Sequence, residues 1–372
     1  MKRNDKPLMV IDARLIDTSG IGTVCQNVIP LLKSKFDIIL LGKRAVLQQF
    51  SWIDSIQIIE FATKIYSLKE QLDFFSKIPL CDYFLSPHYN VPLLPIRAKK
   101  RITIIHDVNH IALAANFSIM KRLYAKWILA SALKLSDIIF TVSSFSKSEI
   151  VKFFGVKEDR INTIPLGVDK SIFKTYSISE KQSIQIKYKL PEKFILYVGN
   201  VKPHKNLITL IKAFALLKAE SFGEIDKLVI VGKKEGFITN DLNLDNEIER
   251  LQLRDAIIFT GFVESQDLPV IYNLADLFVF PSFYEGYGLP PIEAMACGCP
   301  VLVSNVSSLP EVCKEAALYF NPYDLEELAQ SIHLILNDKL KQEELRTKGF
   351  YLTANYNWQN TANRMEEIIL TN

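Results

Sequence analysis

Two glutamates with seven residues between them, Glu285 and Glu293, stand in a stretch rich in glycine, proline and tyrosine: Tyr284, Gly286, Tyr287, Gly288, Pro290 and Pro291. The run before it reads as a buried strand ending at Pro281. The two prolines fall where the first turn of a helix accepts them, because its N–H groups have no intrahelical partner. Gly298 fits the C-cap of that helix. The spacing therefore predicts one loop carboxylate and one helical carboxylate around a single helix N-terminus. Backbone N–H groups at Tyr287, Gly288 and Leu289, with the positive end of the helix dipole, suit a diphosphate, and the carboxylates suit sugar or ribose hydroxyls. A plainer role is open to the same pair: a solvated Glu285, and a Glu293 that only complements the dipole.

Other groups stand at comparable points. Lys205 follows the strand ending at Val198 and opens a helix, either as a compact cation for phosphate or as an exposed loop lysine. His106, with Asp107, ends the run Ile102–Ile105, where it suits either a ligand or a structural hydrogen bond; His88 and His110 are further possibilities. Ser19-Gly20-Ile21-Gly22-Thr23 lies between the first strand and a helix. It lacks the third glycine of the dinucleotide fingerprint, with Cys25 in that place and Asp37 a loose match to the ribose-binding acid. No Asp-x-Asp metal motif occurs, since Asp241-Leu242-Asn243-Leu244-Asp245 has the wrong spacing, and no catalytic metal is expected. The cysteines Cys25, Cys81, Cys297, Cys299 and Cys313 show no two-residue spacing and read as buried, reduced thiols.

These groups need strand ends to hold them. Apolar runs recur at Leu8–Ile11, Ile38–Leu41, Tyr83–Leu85, Ile102–Ile105 and Ile138–Val142, then at Phe194–Val198, Leu228–Val231, Ala256–Phe259, Leu277–Phe280 and Val301–Ser304. Continuous apolar character means strands covered on both faces, as in parallel sheets. Between two of them, Ile119–Leu135 reads as a crossover helix with Leu123, Trp127, Leu129 and Leu133 at helical spacing. Two doubly wound α/β domains in tandem follow, and such sheets bind ligands beyond the carboxyl ends of their strands. Gly167 to Leu190 reads as a polar, irregular joint. Trp358 to Leu370 reads as a last helix with Ala362, Met365, Ile368 and Ile369 as its apolar stripe.

The string around the two glutamates, with Gly261-Phe262-Val263, Leu268-Pro269, Tyr272 and Ala275-Asp276 before it and Pro300-Val301 and Leu309-Pro310-Glu311 after it, resembles the retaining GT-B glycosyltransferases of family 4. The resemblance covers most of the second half. It implies two Rossmann-like domains facing across a cleft: an acceptor domain over residues 1–175, to which a helix of residues 358–372 crosses back, and a nucleotide-sugar domain over 190–357. It further implies Gly20 and Gly22 over the donor phosphates, and Lys205 with the amides of Tyr287, Gly288 and Leu289 on the diphosphate. Phe262 and Val263 would lie beside the base and Glu293 on the ribose. Glu285 and His106 would act at the transferred sugar. Many members carry Arg where this chain has Asn200. The nucleoside-diphosphate sugar is a substrate, and no cofactor is implied. Val198-Gly199, Pro203, Lys205-Asn206-Leu207 and Ile105-His106-Asp107 look most like bacterial mannosyltransferases of lipopolysaccharide, O-antigen or capsule assembly, which favours GDP-mannose over UDP- or dTDP-linked sugars and a lipid-linked or oligosaccharide acceptor. A GT-B-shaped epimerase or hydrolase, and a non-catalytic sugar-nucleotide-binding subunit, are the competing readings.

Composition agrees with an ordinary globular protein: 372 residues, 49% apolar and 23% charged, excluding disordered, collagen-like and coiled-coil chains. The net charge of +3 hides an asymmetry, because residues 1–170 hold 24 Lys/Arg against 15 Asp/Glu and the remainder hold 20 against 26. Arg97, Lys99, Lys100 and Arg101, and Lys121, Arg122 and Lys126, form basic groups that suit an anionic membrane surface, or a solvated face. They lack the interleaved aromatics of a nucleic-acid module. The N-terminus is too short in apolar residues for a secretory signal, and no run approaches the ~20 of a membrane span. The expected location is cytoplasmic, with at most a peripheral place on the inner face of the cytoplasmic membrane.

Overall fold

Apolar runs become parallel strands in both halves of the chain. The computed structural model describes residues 6–18, 20–113, 118–219, 227–232 and 244–372. The chain divides into one unit of Met1–Gly167 with Trp358–Asn372 and a second of Val168–Asn357. In the first, β1 (Leu8–Asp12), β2 (Asp37–Gly42), β3 (Gln57–Glu60), β4 (Cys81–Ser86), β5 (Ala98–Ile105), β6 (Ile138–Thr141) and β7 (Ile161–Thr163) pair in the order β3-β2-β1-β4-β5-β6-β7, all parallel. In the second, β8 (Ile195–Val198), β9 (Leu228–Val231), β10 (Ile257–Gly261), β11 (Leu277–Phe280), β12 (Val301–Ser304) and β13 (Leu318–Phe320) pair in the order β10-β9-β8-β11-β12-β13, again all parallel. Each is a Rossmann-like, all-parallel sheet. The order reverses between β1 and β4 and between β8 and β11, which opens a crevice at the carboxyl ends there.

The strands absent from the sequence reading, β3, β7 and β13, all lie at sheet edges. An edge strand has a neighbour on one side only, so Gln57 in β3 and Asn162 in β7 interrupt its apolar character without cost to a core, and β13 is only three residues long. The central strands β8, β9, β11 and β12 are buried throughout.

One expectation needs correction, and two details are added. The joint is not irregular: residues 168–190 belong to the second unit and contain a helix, Ile178–Lys187. Ser177 and Glu180 cap it reciprocally. Lys187 Nζ and Tyr188 Oη both reach Asp267, at 2.7 and 2.8 Å, beside the helix Leu268–Leu274. In the crossover helix Ile119–Leu135 the buried stripe is Ala125, Ile128, Leu129, Ala132 and Leu133, while Leu123 and Trp127 are exposed. Trp127 stands two residues before Leu129, on the opposite side of a 3.6-residue turn. Asp37 opens β2 at its amino end, the edge away from the ligand crevice.

The last helix, Trp358–Thr371, packs on the helix Ile21–Leu32 of the first unit. It buries Ala362, Met365, Ile368 and Ile369, and its Thr361 hydroxyl donates to the Pro165 carbonyl at 2.6 Å. All five cysteines are buried and none forms a disulfide.

Candidate functional site

Because the second sheet is parallel, Gly199, Phe262, Pro281 and Asn305 leave β8, β10, β11 and β12 along one edge. After β11, residues 281–288 form a loop and Leu289–Ala296 a helix whose N-cap is Gly288 with φ 100°. A Cβ there would lie 2.8 Å from Leu309 Cδ2, so the position demands glycine. Pro290 and Pro291 have no N–H, so the amides that the positive end of this helix offers come before them, at Tyr287, Gly288 and Leu289. Gly298 lies one residue beyond the expected C-cap, with φ 75°, and its N–H donates to the Met295 carbonyl at 3.0 Å.

Lys205 ends a single 3-10 turn, Pro203–Lys205, after which Asn206 takes a left-handed conformation with φ 57°. The Asn206 side chain explains the turn: Nδ2 donates to the Pro322 carbonyl at 3.0 Å and Oδ1 accepts from Thr209 Oγ1 at 2.5 Å. The Phe283 N–H donates to the His204 carbonyl at 2.8 Å and ties this turn to the loop after β11. The result is an ion pair, Lys205 Nζ to Glu285 Oε1 at 2.6 Å, with side chains 18% and 11% exposed. The ammonium also lies 5.4 Å from the centroid of the Phe280 ring. Two groups 80 residues apart in sequence thus meet beside a helix N-terminus.

Two serines absent from the sequence reading hold Glu285 in place. Ser307 Oγ accepts from the Glu285 N–H at 3.2 Å, and the Ser308 hydroxyl is shared between the carbonyls of Glu285 and Tyr287 at 3.0 and 2.8 Å. Ser308 occupies the N-cap of helix Leu309–Cys313 yet makes no capping bond. Ser-Ser ahead of Leu-Pro-Glu signals a cap; only the fold turns that hydroxyl back onto the loop.

Glu293 sits apart from the ion pair, on the second turn of its helix. Its Oε2 accepts from Tyr272 Oη at 3.1 Å. Burial pushes its pKa up to about 7 against the opposing pull of that hydroxyl, so its charge changes near neutrality. Phe262, exposed, and Val263, half-buried, follow β10, three strand positions from β11 and hence roughly 14 Å along the sheet edge.

In the first unit Gly20, with φ 74°, is the N-cap of helix Ile21–Leu32. A Cβ on Gly22 would fall 2.5 Å from the Ile16 carbonyl oxygen, so this glycine is required by the turn that precedes the helix. Ser19 lies outside the described residues. His106 ends β5 with Nε2 3.0 Å from the Pro87 carbonyl oxygen, and burial lowers its pKa.

Between the ends of β1 and β4 lies a small pocket, with room for about one water, whose walls include Asp12, Arg14, Ile65, Pro87, His88 and Asn90. Arg14 is held by Asp12 Oδ2 at 2.6 Å and Glu70 Oε1 at 2.7 Å, with its guanidinium against the rings of Phe61 and Phe74. Asn90 Nδ2 donates to Glu70 Oε1 at 2.7 Å, which fixes the amide orientation and leaves Oδ1 buried with no hydrogen-bond partner among the described residues. A hydroxyl entering the pocket would satisfy it. Burial, with His106, His110 and Arg14 nearby, pushes His88 down to about 3, so it is neutral. Glu70 and Asn90 carry no sequence signal of such a role.

Among the described residues no group of three or more His, Cys, Asp or Glu side chains is placed to hold a metal ion; Asp241–Asn243 lie outside them. No helix among the described residues is long and apolar enough to cross a membrane.

A family model described as "Glycosyl transferases group 1" matches residues 179–352, and one described as "Glycosyltransferase Family 4" matches residues 81–171. The chain is 34% identical over 268 residues to O-antigen chain mannosyltransferase B of Escherichia coli, covering 72% of this chain and 69% of that protein. It is 36% identical over 230 residues to the serotype-specific mannosyltransferase WbdA of Escherichia coli, covering 61% of this chain but spanning only 28% of that relative. Among solved structures, HepE of Anabaena in complex with UDP-glucose superposes with a TM-score of 0.79 at 17% identity, covering 98% of this chain and 100% of that one.

Proposed function

On the premise that the chain belongs to the glycosyltransferases of group 1 and family 4, we propose that it moves mannose from GDP-mannose to a lipid-linked or saccharide acceptor, with retention of anomeric configuration, in the cytoplasmic assembly of a surface polysaccharide. The observation that carries the reading is the Lys205–Glu285 pair beside the helix N-terminus at the carboxyl edge of the second sheet. The O-antigen mannosyltransferases among the relatives favour mannose.

In this reading the diphosphate takes over Lys205 from Glu285. Lys205 and the amides of Tyr287, Gly288 and Leu289 then stabilise the charge that grows as the bond from sugar C1 to phosphate oxygen breaks, without a metal ion. Glu285, released from its partner, accepts hydrogen bonds from the transferred sugar and favours its oxocarbenium-like charge. The acceptor hydroxyl attacks C1 from the face the phosphate leaves; the new C1–O bond forms and the hydroxyl proton passes to the departing phosphate oxygen. Glu293 takes the ribose hydroxyls, and backbone at Phe262 and Val263 lies against the base. In the first unit, the buried Asn90 Oδ1 accepts from one hydroxyl of the acceptor.

The test is thermal unfolding with GDP, UDP and dTDP, since a ligand that binds only the folded state raises stability by mass action. GDP is expected to give the largest rise, abolished by Lys205→Ala. Turnover that survives Glu285→Ala combined with Glu293→Ala sinks the assignment.

A further inference from the structure

We propose that Tyr272 is the positioning residue for ribose recognition: its hydroxyl holds Glu293 as a hydrogen-bond acceptor and leaves one carboxylate oxygen for the ribose hydroxyls of the donor nucleotide. The inference rests on the reading that Glu293 takes those hydroxyls. Tyr272 Oη donates to Glu293 Oε2 at 3.1 Å, and Oε1 makes no hydrogen bond among the described residues. Glu285 has Lys205 as its counter-charge, whereas no cation among the described residues pairs with Glu293. The direction and the protonation of this carboxyl therefore depend on one hydroxyl.

The fold leaves that hydroxyl no other place. Tyr272 is fully buried on the second turn of the helix Leu268–Leu274, its ring edge-on to Phe278 with centroids 5.5 Å apart. The next residue fastens the helix: Asn273 Nδ2 donates to the Cys297 carbonyl, just past the helix Leu289–Ala296, and Oδ1 accepts from the Tyr176 N–H at 3.0 Å. In such packing the ring cannot swing away from Glu293 without displacing Phe278. The chemistry of the contact favours an ionised carboxyl. Tyr272 and the ribose hydroxyls all come to it as donors, and only the ionised form accepts at every lone pair. Burial keeps the Tyr272 hydroxyl protonated, and hence a donor, far above its usual range. Burial also pushes Glu293 up to about 7, and the Tyr272 hydroxyl is the group that opposes it. Among ionisable neighbours, burial keeps Cys297 and Cys299 as thiols, Arg346 Nε donates to the Gly298 carbonyl at 3.2 Å, and Glu311 is exposed. Without the hydroxyl the carboxyl holds its proton to higher pH and offers the ribose fewer lone pairs.

The experiment is isothermal titration calorimetry of the full chain with GDP and with 2′,3′-dideoxyGDP. The parent is expected to prefer GDP by on the order of tenfold, as for hydrogen bonds to a charged group. Tyr272→Phe removes most of that preference: GDP affinity falls roughly tenfold, the effect of one such bond, and dideoxyGDP affinity stays within about twofold of the parent. Adding Tyr272→Phe to Glu293→Gln is expected to weaken GDP no further than Glu293→Gln alone, because the hydroxyl acts through that carboxyl. A Tyr272→Phe variant that keeps the parent's preference would overturn the proposal. So would one that binds both nucleotides equally more weakly, or whose loss adds in full to that of Glu293→Gln, since either shows a role in packing alone. The ribose reading is judged on the parent: equal binding of GDP and dideoxyGDP removes Glu293 from the ribose, and the inference with it. Lys205→Ala is expected to weaken both nucleotides alike through the diphosphate, so a failure at Tyr272 and a failure of the donor site are read separately.

Discussion

In the first unit Arg14 is enclosed by Asp12 and Glu70 with two phenylalanine rings against its guanidinium, whereas in the second Lys205 reaches a single carboxylate from a loop. Arg14 and Glu70 side chains are 5% and 0% exposed; those of Lys205 and Glu285 retain contact with water. A guanidinium can satisfy several acceptors from one rigid plane, and the enclosed network fixes the wall of a pocket. An ammonium on a turn with one partner can exchange that partner for an anion at small cost. One arrangement is locked in place and the other leaves its cation exchangeable. The surroundings differ in the same sense, for the first unit carries 24 Lys/Arg against 16 Asp/Glu and the second 20 against 25.

The comparison predicts a large structural effect in the first unit and a large kinetic one in the second. Arg14→Met leaves Asp12 and Glu70 buried without their counter-charge and is expected to lower the stability of the first unit by about 3–5 kcal/mol. Tryptophan fluorescence during urea unfolding reads this directly, because Trp52, Trp127 and Trp358 all belong to that unit. Lys205→Ala, by contrast, is expected to lower stability less, because one carboxylate rather than two loses its counter-charge. Its turnover is expected to fall on the order of 100-fold or more, the cost of losing one donor to a developing anion. Comparable stability losses in the two variants would erase the distinction.

Acid separates the units in sign. Glu293 holds its proton to about 7 when folded and to the ordinary 4.5 when unfolded. The folded chain therefore binds the extra proton between these values, and the second unit gains stability as pH falls from 7 toward 4.5, by roughly 2 kcal/mol. His88, at about 3 when folded against an ordinary 6.5, reverses the relation: the unfolded chain takes the proton first, and the first unit loses stability as pH falls below 6.5. Urea unfolding at pH 5 and pH 7.5, followed by fluorescence for the first unit and circular dichroism for both, checks the two signs, and Glu293→Gln is expected to cancel the gain in the second. The smallest effect is expected at the capping box, where Ser177→Ala costs about 1 kcal/mol in the second unit and nothing in the first.

How much of this was legible in the sequence depended on how many neighbours each residue needed. Runs such as Leu228–Val231 declare themselves because both faces of a central strand are covered. The edge strand β7, with Asn162 in the middle, does not. The helix after Ser177 is signalled by a cap rather than by an apolar period, and the helical spacing of Leu123 and Trp127 does not say which face is buried. In the site, Glu285, Glu293 and the glycine and prolines between them were readable as one local motif. Ser307, Ser308, Glu70 and Asn90 were not, since each acts on residues about 20 or more positions away.

The sequence by itself determined two parallel-sheet units, the helix N-terminus at Leu289 and the pair of glutamates beside it, because strand burial, proline placement and glycine conformation are set within a few residues. Tertiary structure decided that Lys205 would meet Glu285, that Asn90 would keep a buried oxygen without a partner, and that an apolar stripe on the helix from Ile119 would face outward. Those outcomes depend on which strands become neighbours and which helix face finds the sheet, and a local period carries information about neither.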